Sequence, residues 1–169
     1  MADASSIRKQ TVLPTQAQAG APFYKGAVRF NNNQAWVNTG SQWAPLGNVV
    51  LTVHIVAAAG AVDQSIFVAD RAYQVVSVSE SHAVAEATAT TLTVDVKKAG
   101  AGTAIASGTV VLSGSFNLKS TANTPVTLGV SATAANSVLA AGDRLGLDFS
   151  ATAPTELAGG VVTVVLRPL

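Results

Sequence analysis

The sequence predicts an all-β chain: an antiparallel jelly-roll-like β-sandwich preceded by an extended N-terminal arm and a small β segment. Three observations carry this. From residue 48 to residue 169 strand-length runs recur with turn signals between them, and no window holds a helical apolar stripe. The hydrophobic share, 49%, is largely Ala and Val interleaved with Thr, Ser and Gly, a mixture that suits flat pleated surfaces better than long helices. Charged residues make up only 11% of the 169, far below the roughly 25% of ordinary soluble domains, so something other than charge must cover the surface. A subunit buried by its neighbours fits that profile.

Residues 1–22 form the arm. They are rich in Gln, Ala, Ser and Thr, are punctuated by Pro14, Gly20 and Pro22, and offer only Ile7, Val12 and Leu13 as apolar pegs, too few for a core. Residues 23–47 change character and carry both tryptophans. Val28 and Phe30 alternate with Arg29, the triplet Asn31-Asn32-Asn33 supplies a tight turn, and Asn38-Thr39-Gly40-Ser41 a second turn before Trp43, so two or three short strands are expected. Phe23, Tyr24, Phe30, Trp36 and Trp43 concentrate the aromatics of an aromatic-poor chain. Rings in so short a segment must bury against something larger, which makes them, with Ile7, Val12 and Leu13, the candidate capsid or subunit interface.

Residues 48–169 form the sandwich. The clearest strand is Thr91-Leu92-Thr93-Val94-Asp95-Val96-Lys97, with Leu92, Val94 and Val96 on a packed face and Thr93, Asp95 and Lys97 on a wet one. Leu145, Leu147 and Phe149 repeat the pattern against Arg144, Gly146, Asp148 and Ser150. Further strands are expected at 49–57, 65–68, 73–82, 108–118, 124–131 and 160–166, about eight in all. The last is apolar on both faces, as a strand central in a sheet would be. Residues 98–103, 140–143 and 152–155 are loops by residue type. Eight strands joined by short loops favour a jelly roll over an immunoglobulin-like sandwich.

Two stretches resemble a known group. Residues 70–83, then Leu92-Thr93-Val94-Asp95-Val96-Lys97-Lys98-Ala99-Gly100, then Leu139-Ala140-Ala141-Gly142-Asp143-Arg144-Leu145 and a short apolar final strand resemble the small jelly-roll modules of tailed-bacteriophage virion proteins. Lys25-Gly26-Ala27-Val28-Arg29-Phe30-Asn31, with Asn38-Thr39-Gly40-Ser41-Gln42-Trp43-Ala44-Pro45-Leu46, is similar to a small β unit of phage fibre and virion-surface proteins. The resemblance implies a structural protein on the capsid surface of the virion. It would be a decoration or cement protein, commonly a homotrimer, whose partner is the major capsid protein and which has no catalytic residue. A receptor- or glycan-binding module of a tail fibre or baseplate is the alternative.

The remaining residues supply little chemistry. With no cysteine, thiolate metal sites, disulfides and cysteine nucleophiles are excluded. A net charge of +1 without a basic run points to neither nucleic acid nor membrane, and the apolar stretch 48–62 is interrupted by His54 and Gly60 and too short to span a bilayer. Residues 1–18 hold Asp3, Arg8 and Lys9 and no continuous apolar core, so no secretory leader is read there. His54 and His82 lack the spacing of a cupin metal triad, and no cofactor or metal is expected. His82, near Glu80 and Glu86, reads as a solvated strand-end histidine. Asp95 and Asp148 fall in the polar phase of strands, Asp143 follows Gly142 in a turn, and Ser113-Gly114-Ser115 lies in a β run without a nucleophile elbow. Gly100-Ala101-Gly102 lacks the Lys-Ser/Thr of a phosphate loop and reads as a hairpin tip. No enzyme is expected.

Overall fold

A computed structural model describes residues 26–31, 34–38, 43–45, 47–87, 91–151 and 154–169. The chain divides into two compact units, 1–47 and 48–169. The expected arm, with Ile7, Val12 and Leu13, and the ring residues Phe23 and Tyr24 lie outside the described residues.

In the first unit three short strands, β1 (Val28–Asn31), β2 (Gln34–Asn38) and β3 (Trp43–Pro45), form an antiparallel sheet in the order β1-β2-β3. Only residues 32 and 33 separate Asn31 from its register partner Gln34, the length of a two-residue hairpin. The N–H of Asn38 donates to the carbonyl of Ala27 and that of Gly26 to the carbonyl of Asn38, both at 2.8 Å, which closes the open end of the hairpin. Gly26 sits at φ +88°, a left-handed conformation that glycine takes without strain.

The second unit is an antiparallel β-sandwich. Its strands are β4 (Val49–Ala57), β5 (Gln64–Val68), β6 (Tyr73–Ser81), β7 (Leu92–Ala99), β8 (Thr109–Val110), β9 (Phe116–Asn117), β10 (Val126–Leu128), β11 (Val138–Leu139), β12 (Arg144–Ala151) and β13 (Ala158–Pro168). The first sheet runs β10-β6-β13-β4, with β11 also on β6; the second runs β5-β12-β7-β8, with β9 also on β7. The short strands share places: β10 and β11 lie along one edge of β6, and β8 and β9 along one edge of β7. Ten segments therefore fill eight positions. Taken in chain order, the first position pairs with the last (β4 with β13), the second with the next to last (β5 with β12), and β6 and β7 likewise pair with the strands that follow them. That nested pairing is an antiparallel ribbon rolled into two sheets, which is jelly-roll connectivity.

Alternation puts the core between the sheets. Leu92, Val94 and Val96 of β7 and Leu145 and Leu147 of β12 face Val162, Val164 and Leu166 of β13 and Val75 and Val78 of β6, all fully or nearly fully buried. Phe116 and Leu118 fill the gap under the second sheet's edge. Each such side chain contributes about 1.5–3 kcal/mol by leaving water.

Several expected boundaries change. The run 108–118 is two two-residue strands, because Ser113 and Gly114 bend where a continuous strand was expected. Strand 124–131 shortens to Val126–Leu128, and Val138–Leu139 is a strand where none was expected. Lys98 and Ala99, expected in a loop, extend β7: Ala99 is buried and the Lys98 ammonium donates to the carbonyls of Ala135 and Val138 (2.5 and 2.7 Å), tying the second sheet to the turn before β11. β6 carries a bulge opposite Val165/Leu166. Tyr73 and Val75 point inward before it; after it Val78, Glu80 and His82 do.

Candidate functional site

The first unit brings two expected interface residues together. Arg29 is the register partner of Trp36, and Trp43 that of Asn38, two residues further along β2 on the same face. The Arg29 guanidinium carbon lies 4.5 Å from the Trp43 ring centroid and 5.7 Å from that of Trp36, so one cation is stacked on two indole rings. Phe30 belongs to β1 in register with Ala35, one residue out of phase with Arg29. Arg29 was missed from sequence as part of this cluster. The signal was available: with Asn31 paired to Gln34, Arg29 must fall opposite Trp36.

The second unit offers three sites of different character. The outer face of its first sheet carries rows of short side chains read across the strands: His54, Val161 and Ser81; then Thr52, Thr163, Ser79 and Thr127; then Val50, Val165 and Ser77. The Ser79 and Thr127 hydroxyls bond each other at 2.8 Å. Val50 and Val56 are 59% and 79% exposed, and the first ionised side chain met is Arg167, bonded to Gln74 where β13 ends. His54 stands on this exposed face, as its phase in β4 required.

The second sheet's outer face is charged. Asp95 and Asp148 are direct register partners on β7 and β12, and the Lys97 ammonium lies 2.6 Å from an Asp148 oxygen, offsetting the two like charges. Asp143 is elsewhere, in the turn after β11, where its carboxylate accepts from the Ala140 N–H at 2.8 Å beside Gly142 at φ +87°. The three aspartates thus do not converge.

The third site is the end of the sandwich where the connections after β4, β6, β9 and β12 gather. His82 is buried there rather than solvated, because the bulge in β6 turns its even-numbered residues inward. A carbonyl only accepts, so His82 Nε2, 3.1 Å from the Ser120 oxygen, carries a proton; His82 Nδ1 and Glu80 Oε1, 2.9 Å apart, share another. Burial pushes the Glu80 carboxyl above its ordinary value of 4.5, and the hydrogen bond and charge of His82 pull the other way. Glu80 Oε2 is buried without a hydrogen-bond partner. Glu86, also buried, uses Oε2 to accept the backbone N–H groups of Thr155, Glu156 and Leu157 (2.8, 2.9 and 3.3 Å). These groups join the β6–β7, β9–β10 and β12–β13 connections. Among the described residues no three His, Asp or Glu side chains come together as metal ligands would, and no helix is long and apolar enough to cross a membrane.

No protein-family model matches the chain, and no curated protein is similar to it. Among solved structures it is similar to a chain in the structure of infectious bursal disease virus, Gx strain, with 14% identity and a TM-score of 0.31. The likeness covers 82% of this chain and 36% of that one, so the present chain spans little more than a third of that protein's length. The jelly-roll assignment rests on the strand pairing itself.

Proposed function

We propose that the chain is a structural virion protein that decorates and cements a capsid by non-covalent bridging, with the major capsid protein as its partner. The observation that carries this reading is the uncharged outer face of the first sheet, four strands wide and built of Val, Thr, Ser and His54. Such a face loses little on desolvation and has no charge of its own to leave unpaired when a neighbour covers it. The low overall charge and the resemblance of residues 70–83, 92–100, 139–145 and the final apolar strand to phage jelly-roll modules support the same conclusion. In this role the protein performs no bond chemistry. It adds to shell stability by binding the assembled state in preference to its parts. The arm, residues 1–22, supplies reach, and Trp36 and Trp43 supply anchors between subunits of a homotrimer.

The stacked Arg29–Trp36–Trp43 cluster favours one other reading, a glycan- or receptor-binding module of a tail fibre, since aromatic faces also bind sugars. Electron microscopy of virions labelled on this protein separates the two. Label spread over the head supports cementing; label confined to the tail overturns it. Deletion of residues 2–20 is expected to abolish attachment to purified capsids while leaving a folded sandwich, and retained occupancy would refute the role of the arm.

A further inference from the structure

A sandwich of two open sheets has four edges, and an edge is a template for another strand. Three of them are blunted here. The β10/β11 edge is made of strands of three and two residues, the β8/β9 edge of two strands of two, and β5 has five residues with a register irregularity against β12. Short edge strands and bulges are the usual means of keeping other chains away. β4 is different. It runs nine residues, pairs with β13 in unbroken register from Val49↔Leu166 to Ala57↔Ala158, and has no strand on its other side among the described residues. Its sequence, Val-Val-Leu-Thr-Val-His-Ile-Val-Ala, contains no Lys, Pro, Gly or acidic residue.

That sequence is also nearly its own mirror about Val53. Moving outward in both directions, Thr52 matches His54, Leu51 matches Ile55, Val50 matches Val56, and Val49 matches Ala57. An antiparallel pair related by a two-fold axis at Val53 places each residue beside its counterpart in the other copy. On the outer face Val50 meets Val56 and Thr52 meets His54, while Leu51 meets Ile55 on the face that packs inward. No ionised group is brought against another. We propose that β4 is a self-association edge whose occupant is β4 of a second copy of this chain, which makes one sheet continuous across two sandwiches. The contact does not depend on the virion reading. One strand pair buries little surface, so the dimer dissociates on dilution.

Four exposed or near-exposed positions test it without disturbing the core. In Val50→Lys/Val56→Lys the two-fold sets Lys against Lys twice. Self-association of the full chain, followed by sedimentation, should weaken by at least about tenfold, the size expected of two unfavourable cross-strand pairs. Val50→Lys/Val56→Glu sets Lys against Glu and should restore it. Whatever the first unit does, the wild-type particle should be heavier than the Lys/Lys particle at the same concentration, by a factor of two where the Lys/Lys chain is a monomer. Because the chain has no cysteine, oxidising a mixture of Thr52→Cys and His54→Cys chains should cross-link the two to each other faster than either to itself. Equal masses for wild type and the Lys/Lys variant at all concentrations, identical behaviour of Lys/Lys and Lys/Glu, or cross-linking without preference would each overturn the proposal.

Discussion

Replacing Glu86 by Ala removes the carboxylate whose Oε2 accepts three backbone N–H groups, and strands those three donors. Charge-assisted hydrogen bonds contribute about 1.5–3 kcal/mol each, but three on one oxygen are not additive, and their release differs by position. Thr155 and Glu156 are exposed, so their N–H groups recover water; Leu157 is buried and its N–H does not, although at 3.3 Å it held the weakest bond. The loss should therefore be on the order of 3 kcal/mol rather than the full sum. Glu86→Gln keeps a carbonyl oxygen but loses the charge, and should lose about half as much. For a domain of this size 3 kcal/mol corresponds to roughly 10 °C in the melting temperature, measured by differential scanning calorimetry. Amide exchange of Thr155, Glu156 and Leu157 should accelerate first, because the carboxylate fixes that connection to the one after β6. A Glu86→Ala chain that melts within about 2 °C of wild type would refute the assignment of the carboxylate as the clasp of this end.

Three further outcomes follow from the same geometry. A carboxyl whose folded value is raised contributes stability that is complete below its unfolded value, 4.5, and lost as pH rises through the folded one. The stability of wild type over Glu80→Gln, from urea titrations, should therefore grow as pH falls from neutral toward 4.5; a pH-independent gap would contradict the burial of Glu80. Gly146→Ala would put a methyl 2.6 Å from the Gln64 carbonyl oxygen and 2.7 Å from Ile105 Cδ1, and should destabilise by about 1–3 kcal/mol in chemical denaturation. Both tryptophans of the chain lie in the first unit, so Arg29→Ala should shift the emission spectrum, with a loss of about 0.5–1 kcal/mol expected of a cation–π contact. Unchanged emission would count against the stacking.

The long strands were legible because each needs one dry face. Residues 49–57 were bounded in sequence by Gly47-Asn48 and by an Ala-Gly run, and alternation of Leu51, Val53 and Ile55 with Thr52 and His54 fixed both its length and its phase. Central placement of β13 followed from apolar residues on both faces, and it does lie between β6 and β4. The two-residue strands β8, β9 and β11 were illegible, since two residues show no period and pair only because a long neighbour templates them. The burial of His82 was hidden for another reason. A bulge near Val76 shifts the phase of β6 by one, and phase shifts arise from pairing with β13, not from the local sequence. Of the candidate interface, the pairing of Arg29 with Trp36 could be placed from the length of the first hairpin alone, whereas the arrival of Trp43 on the same face depends on where a third strand returns.

The nesting of strands also dictates an order of events in folding. β4 leaves the ribosome near the beginning of the sandwich, yet the strand that pairs with it, β13, is the last to be made: Val49 waits for Leu166. Until then β4 has two open sides instead of one, in a sequence without gatekeeping charges, and ribbon topologies whose contacts join distant parts of a chain fold slowly. A molecule lacking residues 160–169 would lose the strand that separates β4 from β6, and so would expose four unpaired edges where the complete sheet has only its two outermost. Such a chain should collect in inclusion bodies, and the yield of soluble protein should depend steeply on whether synthesis passes β13.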